Sequence, residues 1–451
     1  MPRPDITSEG LEAAIGFPGA VMLVMGGIVG VGIFVNPAVV ARSLHSPDLV
    51  LAAWALGGGV ALLGAFVYAE LAARIPATGG EYVYLRDTYG PLAGFLYGWT
   101  TLLVVQAGGM AAVAIVFARN LDVLAGGGLA EPWVAVAALA VLAAINCLGV
   151  RSGNGAQAGL GVLKVAAIVA VIVAGLTVAA AAPHPAHAAP NEAPGALKAF
   201  GAAMIAVVFS YGGWQTANYV AGEMKDARRS LARALVAGVA AVIALYLLVN
   251  VAGLRALGVE GLGATLTPIS GVLERAVGPL GVKLAAAAVA LSAIAFLSQA
   301  TLTAPRVTFA MARDGLFFHR VAWLGEASRA PALAILLQAA WAGVLAVTGR
   351  YEQILGYVIA MNFLFFGLSA SCLFVLRRRD KAAGAGAEKM GFRAPWHPWS
   401  TGLFIAACAA VVGASFWAYP VNSLIGYAIL AMGVPAYLYW RRGSRREARP
   451  A

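Results

Sequence analysis

Charge is what this chain has least of. Only 11% of its 451 residues are Asp, Glu, Lys or Arg, while 61% are hydrophobic and the mean hydropathy is +0.82. A soluble fold of this size is excluded, because a water-facing surface needs far more polar side chains. Cysteine is nearly as scarce. Cys147, Cys372 and Cys408 all fall inside predicted helices, so they read as core fillers and no disulfide framework is expected. The five histidines, His45, His184, His187, His319 and His397, lie in loops or at span ends, which argues against haem or metal held within the bilayer. No His/Cys cluster or nucleophile–base arrangement occurs inside the apolar runs, so neither an enzyme nor a cofactor is expected. The N-terminal segment carries Asp5, Glu9 and Glu12 and lacks a basic region with a small-residue cleavage site, so no cleaved leader is expected.

Apolar runs of spanning length are what the chain has in abundance. They fall at about 13–41, 49–69, 91–118, 132–150, 152–182, 199–222, 234–254, 284–305, 330–349, 353–376 and 394–440. The last is long enough for two helices, with Tyr419-Pro420-Val421-Asn422-Ser423 as the turn between them. The expectation is one all-α membrane domain of about twelve spans. Most of the 31 Lys and Arg residues fall on the side of the termini, with clusters at Lys225/Arg228/Arg229/Arg233, Arg377-Arg378-Arg379 and Arg441/Arg442/Arg445/Arg446. Both termini are therefore expected in the cytoplasm. The net charge of +11 then reads as topology and attraction to an anionic leaflet, and no nucleic-acid partner is expected. Of the outer loops, Pro183–Gly195 and Arg255–Lys283 are longest. The second can hold a short helix over the external mouth, as a lid or as a plain connector.

The pattern breaks within two of the runs. Gly26-Gly27-Ile28-Val29-Gly30-Val31-Gly32-Ile33-Phe34 places four glycines in seven residues, and each costs about 1 kcal/mol against alanine in a helix interior. The second is Ser210-Tyr211-Gly212-Gly213-Trp214. Close helix packing explains a lone glycine pair in a membrane helix. Two interruptions at matching places in the two halves point instead to the substrate site of a secondary transporter. There a half-helix N-terminus offers N–H groups to a carboxylate, and unwound carbonyls face an ammonium. Phe209, Tyr211 and Trp214 either cover the substrate or pack. Lys164 sits deep in an apolar run, where an ammonium is costly unless paired or near water, so it is a functional candidate. It can hold a broken helix as a bound Na⁺ would, or load a proton. Glu70 with Arg74, and Glu223 with the basic cluster after it, stand at span ends as an internal gate or as surface ion pairs.

The runs GGIVGVGIFVNP and FSYGGWQTANYVAGEM, the fifth-span lysine and the twelve-span length resemble the amino acid–polyamine–organocation (APC) superfamily, in its L-amino acid transporter-like branch. The resemblance implies a LeuT-like five-plus-five inverted repeat, about 13–182 against 197–378, with discontinuous helices 1 and 6 and two extra helices at about 396–441. It implies an amino acid permease of the cell membrane, an exchanger or a proton-coupled carrier, working without Na⁺. Substrate binding would fall to Ile28, Val29, Gly30, Val31 and Gly32 at the first break and to Phe209, Ser210, Tyr211 and Gly212 at the second. Phe209 would be the aromatic gate, and Lys164 would bridge the first and eighth spans, with Ser298 or Thr301 as partner. Asp226-Ala227 and Leu231 depart from the family's Asn-Pro and later Pro. The loop from Arg119 to Glu131 lacks the cysteine that joins animal members to a heavy chain, so no heavy subunit is expected. Neutral amino acids fit best, because no carboxylate lies near the breaks. A polyamine or cationic amino acid carrier is the alternative, and a receptor or channel on the same scaffold is the rival of another class.

Overall fold

The computed structural model describes residues 10–180, 195–265, 267–348, 351–383, 391–418 and 420–447. These are helical, with β-type pairing reduced to isolated bridges such as Ile15 with Met224. Most of the expected outer loop Pro183–Gly195 lies outside the described residues.

The chain opens with α1 (Phe17–Ile28) and α2 (Gly32–Leu44), which are bent by 44° at the intervening residues. His45 ends α2 in the left-handed conformation, and Ser46 caps the next helix through its hydroxyl, with Pro47 in the first turn. That helix is α3 (Pro47–Arg74), followed by the short α4 (Glu81–Tyr89). Then come α5 (Pro91–Thr100), a π-helical turn over Thr101–Val105, α6 (Gln106–Ala125), α7 (Glu131–Cys147) and α8 (Val150–Thr177). The second half begins with α9 (Ala196–Ser210), a 3₁₀ helix over Trp214–Glu223, and α10 (Ala227–Ala264). The short helix expected between the seventh and eighth runs is α11 (Pro268–Val277), packed on α2, α8, α10 and α12. It is followed by α12 (Leu280–Thr303), α13 (Pro305–Arg313), α14 (Ala332–Thr348), α15 (Tyr351–Ala382), α16 (Trp399–Ala418) and α17 (Pro420–Glu447).

Eight of the described helices or merged helices are long and apolar enough to cross a membrane, and the bent α1–α2 pair makes a ninth if it is one span. The apolar helices α7 and α14 are shorter, at 17 residues each. At the centre, α1 packs against α8, α10, α12 and the 3₁₀ helix, while α2 packs against α9 and α10. The outer members α16 and α17 cover α15, and apolar side chains such as Trp417 (84% exposed) face away from the protein. In hydrocarbon such side chains lose nothing by facing outward, so helix association rests on close packing and hydrogen bonds. Glycine supplies the closeness: a Cβ on Gly57 would stand 2.3 Å from Val207, and one on Gly238 2.6 Å from Val24.

The end of the bundle bearing the basic clusters holds ion pairs whose carboxylates are buried. Glu223 is held by Arg306 in a two-pronged bond, Nε to Oε1 at 2.7 Å and Nη2 to Oε2 at 3.0 Å, with both side chains 1% exposed or less. The partner of Glu223 is therefore an arginine from α13, and not the basic cluster that follows it in sequence. Glu70 is also fully buried. It accepts from Arg74 (2.6 Å), from Arg377 (2.5 Å) and from the Ala394 amide (2.7 Å), which excludes a surface ion pair. Removing one partner from a buried pair leaves an uncompensated charge and costs about 3–5 kcal/mol, whereas a partly exposed pair contributes about 1 kcal/mol or less. Arg306→Leu should therefore lower stability by several kcal/mol, while Arg86→Ala, whose pair with Asp87 is 29–40% exposed, should shift it little. Thermal unfolding in detergent checks this, and equal effects of the two variants contradict it.

Candidate functional site

The first interruption falls where the glycines predict it. Val29 closes α1 by donating to the Met25 carbonyl, Gly30 N–H turns back to Ile28 O at 2.8 Å, and α2 restarts at Gly32. At the second, α9 ends at Ser210 and the chain turns through Tyr211-Gly212-Gly213, with Gly213 at φ 106°.

The two interruptions touch backbone to backbone. A Cβ on Gly213 would lie 2.0 Å from the Gly27 carbonyl oxygen, and a Cβ on Gly27 would lie 2.4 Å from the Gly213 oxygen. No residue with a side chain fits at either position. The polar groups freed by the breaks are taken up by side chains from several helices. Lys164 on α8, 1% exposed, donates to Gly26 O at 3.2 Å and to Val29 O. The Tyr246 hydroxyl on α10 stands 3.1 Å from Ile28 O and 3.3 Å from Ser210 O, and so clasps both breaks at once. Asn36 on α2 donates to Ser210 Oγ (2.7 Å) and to Ala206 O (3.0 Å). From α12, Ser292 donates to Gly30 O at 3.3 Å, and Gln299 donates to Thr216 Oγ at 2.7 Å.

Between the breaks and α6 lies a cavity of about 120 Å³. Its wall takes Ile28, Gly30, Val31 and Gly32 from the first break and Phe209, Ser210 and Gly212 from the second. Val29 and Tyr211 are not part of it. Val29 is fully buried with its carbonyl on Lys164, and Tyr211 is turned toward α3 and α10, 5.8 Å from the Trp54 ring and 5.1 Å from the Tyr246 ring, centroid to centroid. Trp214 also faces away, packed at 4.8 Å on Tyr68 and at 5.5 Å on Phe366. The rest of the wall includes Gln106, Gln215, Thr216, Phe296 and Asn362, and none of the described lining residues is charged. Of the eighth-span candidates, Thr301 donates to Leu297 O within its own helix, and the Ser298 hydroxyl is buried without a partner. The hydrogen bonds of Lys164 go to α1 alone among the described residues.

The arrangement is that of a small-solute receptor. The positive dipole end of α2 lies at the cavity wall, where Phe34 and Gly30 N–H are bonded to Val31 O and Ile28 O and the first-turn N–H groups of Val31, Gly32 and Ile33 have no helical partner, which suits a carboxylate. At the second break the N–H groups of Tyr211, Gly212 and Gly213 are already bonded to Val207 O, Phe209 O and Gln215 Oε1. What that side has left to offer is carbonyl lone pairs, which suit an ammonium. No group of three or more His, Cys, Asp or Glu that could hold a metal occurs among the described residues.

The profile of a family described as amino acid permeases matches residues 15–438. The chain is similar to the serine/threonine exchanger SteT of Bacillus subtilis (strain 168), 30% identical over 435 residues, or 95% of this chain and 97% of that protein. It is also similar to the human large neutral amino acids transporter small subunit 2, 29% identical over 443 residues (96% and 81% of the two chains). The human b(0,+)-type amino acid transporter 1 is 28% identical over 383 residues (83% and 78%).

The backbone crossing generates a contrast between adjacent glycines. Gly213 has a positive φ and no room for a Cβ, whereas a Cβ on Gly212 would meet only Phe209 O, at 3.3 Å. Gly213→Ala should destabilise the protein by about 2 kcal/mol or more, and Gly212→Ala by less than about 1 kcal/mol. Melting curves of the two purified variants decide it, and a well-folded Gly213→Ala with an unchanged midpoint contradicts the crossing.

Proposed function

The chain belongs to the amino acid permease family, and from that premise we propose that it moves neutral, zwitterionic L-amino acids across the cell membrane by alternating access. Exchange or proton movement takes the place of Na⁺ coupling. The observation that carries this reading is the cavity wall: both backbone interruptions line it, and the described lining holds no charged side chain. Such a wall fits the two charges of an amino acid backbone and leaves a cationic side chain without a counter-charge, so that its desolvation goes uncompensated.

The carboxylate sits at the start of α2, among Gly30, Val31 and Gly32, and the ammonium sits against the carbonyls of Ile28, Phe209 and Ser210. Phe209 covers the substrate from the side and acts as the gate. Lys164 stands in for a sodium ion, cross-linking α8 to the unwound end of α1; its two bonds to carbonyls there support this role. The architecture that goes with the reading is twelve spans in a single transporter domain with both termini cytoplasmic. The α1–α2 pair and the α9–3₁₀ pair are the first and sixth of two inverted five-span repeats, and α16 and α17 lie outside them. The loop between α6 and α7 contains no cysteine, and the transporter works without a disulfide-linked second subunit.

Lys164→Ala should nearly abolish exchange, because it strips the unwound end of α1 of its cation, and the unmutated protein should transport equally with and without Na⁺. Uptake into proteoliposomes in the two salts tests both, and a strong Na⁺ requirement contradicts the role given to Lys164. Excess lysine or arginine should compete at least about tenfold more weakly than a neutral amino acid, a gap of about 1.4 kcal/mol. Gly212→Asp, for which the backbone has room, should narrow that gap. Inhibition by lysine as effective as by a neutral amino acid in the unmutated protein overturns the neutral reading in favour of a cationic or polyamine substrate.

A further inference from the structure

Among the described residues three acidic side chains are buried, and Glu81 is the one that forms no ion pair. It opens α4, which lies between α3 and α5 and outside the candidate membrane spans. It follows Gly79 and Gly80, both at positive φ (110° and 53°), and its side chain is fully buried. The Tyr68 hydroxyl stands 3.4 Å from Oε1, and Oε2 has no partner among the described residues.

Among the described residues no cation pairs with Glu81, and Arg379 of α15 donates to Asp87 O and Thr88 O at the far end of α4. Arg74 and Arg377 are committed to Glu70, Arg306 to Glu223, and Arg86 to Asp87 and Asp314; Arg313 on α13 lies over the Phe309 ring. What faces the carboxyl is a set of neutral hydroxyls: Tyr68 on α3, Tyr84 on its own helix, Tyr97 on α5 and Tyr219 on the 3₁₀ helix, with Ser369 and Cys372 of α15 behind Tyr68 and Tyr84. A buried carboxyl in such surroundings keeps its proton, and burial pushes the pKa of Glu81 up to about 8.

The tyrosines also lead somewhere. The Tyr97 and Tyr219 hydroxyls are 2.5 Å apart, and Tyr219 lies on the 3₁₀ helix that also carries Gln215 and Thr216 of the cavity wall. Helix α4 is docked on the second interruption. Gly79 N–H donates to Tyr219 O at 2.9 Å, and the Tyr84 hydroxyl donates to Asn218 Oδ1 at 3.2 Å. Movement of the 3₁₀ helix therefore disturbs the wall of the Glu81 pocket.

Resting on the transport reading, we infer that Glu81 is a proton-binding site coupled to amino acid movement. Glu81 holds a proton while the basic end is closed. When the 3₁₀ helix moves, water reaches the carboxyl, the acid O–H bond breaks and the proton passes to water, so that one proton accompanies each amino acid that moves net across the membrane. Amino acid homoexchange, with protons carried equally both ways, needs no net release.

The test uses the full chain in liposomes with a pH-sensitive dye inside, and whichever of L-serine and L-leucine the unmutated protein exchanges. An inward gradient of that amino acid should acidify the lumen. Glu81→Gln should keep homoexchange, cut the acidification by about tenfold or more, and flatten the rise of net uptake at acid external pH. Lumen acidification by Glu81→Gln equal to that of the unmutated protein, or net uptake by the unmutated protein without any proton, overturns the proposal. Should Glu81→Gln fail to fold, Tyr97→Phe removes the Tyr97–Tyr219 bond beside the pocket with the carboxyl in place and should slow acidification more than homoexchange; equal slowing counts against it. A second arm needs no transport, so failure of the transport reading, seen as no exchange of any amino acid, stays distinct. The folded carboxyl binds its proton more tightly than the unfolded one, so stability falls as pH rises from about 4.5 to about 8 and is level above that range. That fall should be present in the unmutated protein and smaller in Glu81→Gln, and the carboxyl C=O stretch seen at neutral pH by infrared difference spectroscopy should vanish with the mutation. Identical pH–stability curves with an unchanged infrared band overturn the protonated state itself.

Discussion

Everything at the centre of this molecule depends on the contact between Gly27, in the last turn of α1, and Gly213, in the turn after α9, where backbone meets backbone. In hydrocarbon an unwound stretch survives only if its freed N–H and C=O groups find partners, since each one left bare costs several kcal/mol. The surrounding helices supply those partners in a division of labour. A cation takes two carbonyls of the first break, a tyrosine hydroxyl spans the two breaks, and an asparagine, a serine and a glutamine tie in the flanks. The N–H groups at the first turn of α2 are what the helices leave for a ligand.

The two ends of the site are bound differently, and this follows from which groups the chain can satisfy by itself. The turn through Tyr211-Gly212-Gly213 bonds its own N–H groups within a few residues. At the restart of α2, Phe34 N–H turns back to Val31 O and Gly30 N–H to Ile28 O, which leaves the N–H groups of Val31, Gly32 and Ile33 without a helical partner. On the reading proposed above, a zwitterion meets a polarised slot there, its negative end at α2 and its positive end at the carbonyls.

Much of this was legible in the amino-acid sequence, and the limits of that reading are physical. Glycine density located both interruptions, and apolar run length located the helices, because both are local properties of the chain. Lys164 stood out because a lone ammonium in an apolar run has no cheap explanation. Side-chain directions at the breaks were not legible: helical phase is lost where the helix unwinds, so Val29 and Tyr211 counted equally with neighbours that face the cavity. Tyr246 was missed because one tyrosine in a long apolar run looks like packing until the fold sets it between two carbonyls. Arg306 was missed as the partner of Glu223 because the pair is 83 residues apart in sequence, and charge pairing at that range leaves no spacing signal. Glu81 carries no signal in the sequence; only its burial among tyrosines sets it apart.

The hydrogen bonds also determine which parts can move together. Asn36 binds α2 to α9, while Ile15 exchanges backbone bonds with Glu223 and Lys225 and so binds the entry to α1 to the end of the 3₁₀ helix. The four half-helices are thus joined as two pairs, one on each side of the glycine crossing. Swinging a joined pair breaks none of its internal bonds, and at the crossing backbone meets backbone, with the Tyr246 hydroxyl the side chain that bonds both pairs. Separating the members of a pair costs buried hydrogen bonds in a place where water is absent to replace them. On the transport reading proposed above, the motion that keeps each pair's buried bonds is a tilt of one pair against the other near Gly27 and Gly213, and the Glu223–Arg306 pair stands at the end of the 3₁₀ helix.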